Sequence, residues 1–217
     1  VKVLVVFTYG YSLKTWEESG TLERELSIYT ELQKKYGVKF TFLTYGDHSD
    51  LEIAIKNIDV DIIPIYKYLK KSSSKLINIL KSIYFPLRYK RLFVDIDIIK
   101  QNQLQGSWVA IIFKSLLRKP LFTRTGYDVY KFCLEDNKNF FIRFLYLYLT
   151  KITVQMSNIY SVSNLSDLRY SEFKYNKIKQ FVLRPNWILP NDYINNTKFS
   201  NKVLCVGRLE HQKNFEY

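Results

Sequence analysis

Two cations set five residues apart carry the most specific chemistry in this sequence. Val203-Leu-Cys-Val-Gly207 is an apolar run that reads as a strand ending in glycine, and Arg208 and Lys213 follow it on the turn into a helix-like start. Glycine at a strand end permits tight backbone geometry. Cations beside a helix N-terminus form an anion site suited to a diphosphate. The plain alternative is a pair of solvated surface charges.

The other candidates stand just after segments that read as strands. Asp128 can orient a ligand hydroxyl or take its proton, given hydrogen-bond reach; it can equally cap a turn or the next helix. Arg124 can bind a phosphate or make a strand-end salt bridge. Glu17, Ser19, Asn102, Gln103 and Tyr127 are the further polar candidates at these ends. Glu18 joins Glu17, with a solvated helix start as the alternative for both. His211, between the two cations, has no partner in sequence and reads as an exposed bystander.

A series of short elements must position these residues. Val1 to Phe7 reads as a buried parallel strand. A polar stretch, Tyr11 to Gly20, leads to a helix from Thr21 to Tyr36 with Leu22, Leu26, Tyr29 and Leu32 on one face and Gly37 as C-cap. Val38 to Thr44 and Ile62 to Ile65 read as strands. Residues 67–91 read as mainly helical with a break at Pro86, and Asp95 to Ile99 as a strand. Trp108 to Leu117 is a helix, Leu121 to Arg124 a strand and Asn139 to Met156 a long aromatic helix. Ile159 to Val162 is a strand followed by Ser163 as an N-cap, and Phe181 to Leu183 is the last strand of the series. This alternation predicts an α/β fold, a Rossmann-like parallel sheet with helices on both faces. Ligands in such sheets sit outside the carboxyl ends of the strands.

Composition narrows the classes. The 217 residues are 47% hydrophobic and 17% aromatic, too apolar for disorder, and carry a formal charge of +13. Seven Gly and five Pro exclude collagen-like and Gly-rich low-complexity classes. Cys133 and Cys205 form no C-x-x-C pair and read as buried free thiols, with a single bridge as the alternative. That favours a reducing, cytoplasmic setting. No run of 18 apolar residues is present to span a membrane.

The string Gly207-Arg-Leu-Glu-His-Gln-Lys213-Asn after an apolar strand resembles the opening of the second domain in GT-B glycosyltransferases of family 4. Pro185-Asn186-Trp-Ile resembles the connector before that strand, with Trp187 in place of a glycine. Ser161-Val-Ser-Asn164 resembles the segment after the last helix of the acceptor domain. Ser19-Gly20 resembles a Gly-Gly loop there, with Ser in the first position. The resemblance implies an acceptor-side domain over 1–184, a connector over 185–201 and, over 202–217, the first strand of a second Rossmann-like domain, so the chain reads as truncated. It implies sugar transfer from a nucleotide-sugar donor to a sugar or lipid-linked acceptor, with anomeric configuration retained. No resident cofactor or metal is implied. Arg208, Lys213 and Gly20 would then meet the donor diphosphate, and Glu17, Ser19, Asn102, Gln103 and Tyr127 the hydroxyls of the acceptor. A His that many members carry in the loop matched by Thr125 to Asp128 is absent, leaving Arg124, Tyr127 or Asp128 to serve. A nucleotide-sugar epimerase on the same architecture and a non-catalytic binding module are the rival readings.

One charge pattern stands apart. From Ile62 to Val94 there is no acidic residue, while Lys67, Lys70, Lys71, Lys75, Lys81, Arg88, Lys90 and Arg91 interleave with aromatic and aliphatic side chains. Residues 66–91 suit an anionic membrane surface, at which the protein would be peripheral. An amphipathic helix with a core-facing apolar side is the alternative. Nucleic acid is the weaker third reading, because the aromatic platforms of RNA modules are missing.

Overall fold

The computed structural model describes residues 1–175 and 181–187. Among these residues seven strands form one parallel sheet: β1 (Lys2–Val6), β2 (Lys39–Thr44), β3 (Asp61–Pro64), β4 (Ile98–Asn102), β5 (Leu121–Thr125), β6 (Ile159–Val162) and β7 (Phe181–Leu183), in the order β3-β2-β1-β4-β5-β6-β7. The predicted Rossmann-like α/β sheet is the observed one. Helices α1 (Leu13–Glu18), α2 (Leu22–Tyr36) and α3 (Ser49–Asn57) serve the crossovers from β1 through β2 to β3. The short α4 (Ile65–Tyr68) and α5 (Lys75–Tyr89) lead back to β4. Then α6 (Ser107–Leu117), α7 (Val129–Glu135), α8 (Phe140–Met156) and α9 (Leu165–Tyr175) carry the chain outward to β7. By the right-handed rule for parallel connections, crossovers that run in opposite directions along the sheet place their helices on opposite faces.

Burial explains why these segments pair. Leu4, Val5 and Val6 are fully buried in the interior strand β1, as is Phe7 just after it, and α2 lays Tyr29 against Phe40 and Phe42 at 5.1 and 4.9 Å. Edge-to-face rings at this spacing add to the area they remove from water. Gly37 closes α2 in the left-handed conformation expected of it.

Four local expectations change. The fourth strand is Ile98–Asn102, not Asp95 to Ile99. Asp95 and Asp97 instead bind Lys2 across the sheet end, Asp97 Oδ2 accepting from the Lys2 N–H at 2.9 Å and Asp95 Oδ2 from its ammonium at 2.8 Å. The third strand ends at Pro64, and Ile65 opens α4. Pro86 does not break α5, because it and Phe85 are buried and tertiary packing outweighs the lost N–H. The break falls earlier, between Tyr68 and Ser74. Asn164, not Ser163, caps α9, its Oδ1 accepting from the Asp167 N–H at 2.8 Å; Ser163 donates its hydroxyl to Gly126 O.

Candidate functional site

All seven strands point one way, so their carboxyl ends form a single edge. The crossovers diverge between β1 and β4, the position at which such sheets take ligands. One backbone and one side-chain contact close the floor of this crevice: the Tyr9 N–H donates to Gln105 O at 3.0 Å and the Thr8 hydroxyl to Asn102 O at 3.0 Å.

On the β1 side, Ser12 opens α1 through a reciprocal capping box with Thr15, at 3.2 and 2.8 Å. The Ser19 hydroxyl donates to Trp16 O at 3.1 Å. Gly20 sits at φ +65° with its N–H on Glu17 O, and a Cβ added there meets nothing within 4 Å. The loop therefore leaves open space at the edge. Glu17 and Glu18 are exposed in the last turn of α1 rather than at a helix start.

On the β4 side, Asn102 and Gln103 tie elements together. Asn102 Nδ2 donates to Tyr29 Oη at 3.1 Å, and its Oδ1 accepts from Lys100 Nζ at 2.5 Å. Lys100 Nζ also donates to Tyr29 Oη at 2.8 Å. Gln103, at φ +67°, accepts the Gly126 N–H on Oε1 at 2.9 Å. Sequence reasoning missed Lys100 and Tyr29. The available signal was a lysine two residues before Asn102 on the same strand face.

Arg124, at the end of β5, donates to Asn186 Oδ1 at 2.6 Å, and its guanidinium lies 4.8 Å from the Trp187 ring centre. Burial pulls its pKa down, opposed by the charge of Glu25. Glu25 itself pairs with Arg24 at 2.6 Å, so Arg124 is a clamp on the chain after β7 more than a salt-bridge partner. Trp187 completes the clamp by donating Nε1 to Arg24 O at 2.7 Å.

Tyr127 lines a cleft of about 340 Å³ with Gly126, Lys131, Phe132, Asn164 and Asp167. Its neighbour Asp128 is only 5% exposed. Asp128 Oδ1 accepts the Lys131 N–H at 2.8 Å and Oδ2 the Tyr175 hydroxyl at 3.3 Å. Of the two roles open to it, the geometry gives the helix cap. Burial pushes its carboxyl pKa up, partly offset by these donors. Between the ordinary carboxyl value and the raised one, the folded chain binds the proton more tightly than the unfolded chain, so this group's contribution falls as pH rises. Asp128→Ala is therefore expected to lose about 1 kcal/mol of stability. Asp128→Asn keeps the cap and removes the buried charge, so it should match or exceed the parent at neutral pH in urea unfolding. Equal destabilisation by both changes would show that the charge itself is required.

Arg208 and Lys213, with Cys205, lie outside the described residues. Cys133 is buried with a free thiol. Among the described residues no helix is long and apolar enough to cross a membrane.

No family model matches the sequence, and no curated protein matches it. Solved structures do. Sucrose-phosphate synthase from Thermosynechococcus elongatus superposes with a TM-score of 0.57 at 12% identity, over 85% of this chain and 47% of that one. A UDP-N-acetylglucosamine 2-epimerase gives 0.56 at 12% identity, over 86% and 48%. The lipopolysaccharide outer core galactosyltransferase WaaB, in its apo form, gives 0.52 at 10%, over 89% and 48%. The chain thus spans a little under half the length of each. These likenesses establish the fold, a Rossmann-like domain of the GT-B type.

Proposed function

We propose that this chain carries the acceptor-side domain of a GT-B glycosyltransferase of the family 4 type. The enzyme moves a sugar from a nucleotide-sugar donor to a hydroxyl of a sugar or lipid-linked acceptor, in cell-surface polysaccharide or glycolipid synthesis. The observation that supports this most is the carboxyl edge: the open Gly20 turn, the Arg124 clamp and the cleft beside Tyr127 all lie along it, and the connector leaves from it at Pro185. In this reading Arg208, Lys213 and Gly20 meet the donor diphosphate, cations take the place of a metal, and configuration is retained. The 1–184 segment is the acceptor domain, 185–201 the connector and 202–217 the start of the donor side.

The protein works in the cytoplasm, peripheral to the inner face of the membrane through residues 66–91. The arrangement of α5 supports this. Its buried face carries Asn78, Ser82, Phe85 and Pro86, while Leu76, Ile77, Leu80, Tyr84 and Leu87 are exposed among the lysines. A helix that only served the core would have the opposite arrangement.

The epimerase is a second reading, favoured by one of the structural likenesses. The test uses protein from the coding region read through and past Tyr217, a panel of nucleotide sugars, and product NMR. A new glycosidic bond with release of nucleoside diphosphate is expected, with Arg208→Ala and Lys213→Ala each lowering kcat/KM by about tenfold or more. A C2-epimerised nucleotide sugar made without acceptor would replace the transferase with the epimerase, and no turnover with any donor would overturn both.

A further inference from the structure

The first two turns of α8 are exposed in a way the fold does not require. Tyr146 Oη accepts from Gln105 Nε2 at 3.1 Å, and Thr153 meets Ser107 at 2.8 Å, so the second half of α8 lies against the start of α6, at the carboxyl edge. Phe140 precedes Tyr146 by six residues, roughly 9 Å further along the axis. With α7 packed beside it, this end of α8 projects past the sheet as a helical hairpin. Phe140 and Phe141 are 77% and 73% exposed, and Phe144, Leu145 and Tyr148 more than half. The rings of Phe140, Phe144 and Tyr148 stack in a ladder at 6.4 and 6.3 Å.

A contiguous apolar projection of this kind marks an interaction surface. Its charges point to the partner. Residues 137–166 contain no acid and include Lys138, Arg143 and Lys151. At the near end of α7, Asp136 is paired with Lys138 at 3.7 Å, and Glu135 stands beside it. Across α6 stands the acid-free α5, whose start is held at the same edge by the Tyr9 hydroxyl donating to Lys75 O at 3.4 Å. Aromatic side chains beside cations fit the headgroup region of an anionic bilayer.

We infer that the α7–α8 hairpin inserts its aromatic tip into an anionic lipid bilayer while α5 supplies the electrostatic contact. The cleft beside Tyr127, lined partly by α7, then faces the lipid surface and receives an acceptor carried in it. That last step rests on the transferase reading; the insertion does not.

The test is vesicle co-sedimentation of the 217-residue chain, with phosphatidylcholine alone and mixed with phosphatidylglycerol. Phe141→Trp adds a reporter for quenching by lipids brominated on their acyl chains. Binding only to the mixed vesicles is expected, with quenching of the new Trp beyond that of the parent protein. Phe140→Ser with Phe144→Ser should weaken binding about tenfold or more and leave thermal unfolding unchanged, because both side chains are exposed. Lys75→Gln with Lys81→Gln should remove the salt-sensitive part. Binding without quenching would reduce the contact to surface charge and overturn insertion. Absence of vesicle binding with concentration-dependent dimerisation that the Ser variants abolish would assign the tip to a second copy of the chain. Turnover with a water-soluble acceptor is independent of the tip, so failure here leaves the transferase chemistry standing, and loss of that chemistry leaves insertion standing.

Discussion

Gly106→Ala is expected to lower stability by about 3 kcal/mol, a fall of roughly 10 °C in Tm for a chain of this size. Gly106 caps α6 at φ +95°, where an L side chain is strained. Its added Cβ would lie 3.0 Å from Tyr9 N and 3.2 Å from Phe7 O, both backbone atoms, and 3.3 Å from the buried Tyr45 hydroxyl. The backbone cannot yield cheaply there, since the Tyr9 N–H is bound to Gln105 O and Phe7 is fully buried. Gly10 is the control. It has φ +83° but nothing within 4 Å of its added Cβ, so Gly10→Ala should cost only the backbone strain, about 1 kcal/mol. Thermal unfolding by circular dichroism separates the two. Equal shifts would mean that the close approach of the β1 and β4 loops contributes nothing.

That close approach was only partly legible in the sequence. The ends of β6 follow from its apolar run, and α2 follows from its repeat and Gly37, because one burial pattern dominates in each. The fourth strand was misplaced because Lys100, Gln101 and Asn102 are polar. Lys100 and Asn102 are satisfied by Tyr29 on one face and Gln101 Nε2 by loop carbonyls on the other, while Gln101 Oε1 stays buried without a partner among the described residues. No local pattern reveals a partner 71 residues away. The first helix was hidden by its six-residue length, although Ser12 and Thr15 carry its capping signal. At the site, the spacing correctly brought Asn102, Gln103, Arg124 and Tyr127 to one edge. It did not reveal that the first two are committed to internal hydrogen bonds, because that depends on α2 and on the loop after β5.

Trp187 stands where the resembled connector has a glycine, and this departure has a physical consequence. An indole at that position gives the start of the connector a half-buried anchor: one hydrogen bond to α2 at Arg24 O and one ring face for Arg124. Arg124→Ala removes the charge-assisted bond to Asn186 and the cation–π contact together. Hydrogen bonds to charged groups contribute about 1.5–3 kcal/mol and a half-exposed cation–π contact about 0.5–1. With a discount for exposed Asn186, about 2 kcal/mol of local closure should be lost, close to a thirtyfold fall in protection of the Trp187 indole N–H from exchange. The chain has three tryptophans, so the signal is resolvable by NMR; Trp108 Nε1 is held by Ser82 Oγ at 2.8 Å and should keep its protection as an internal reference. Trp187→Phe, which retains the ring but not the N–H, should release only the Arg24 contact. If Arg124→Ala leaves Trp187 protection unchanged, the indole is fixed by Arg24 alone and Arg124 is left available at the carboxyl edge for a ligand. A fall in protection would instead mean that any ligand drawing Arg124 away loosens the connector, coupling occupancy of the edge to the freedom of residues 184–187.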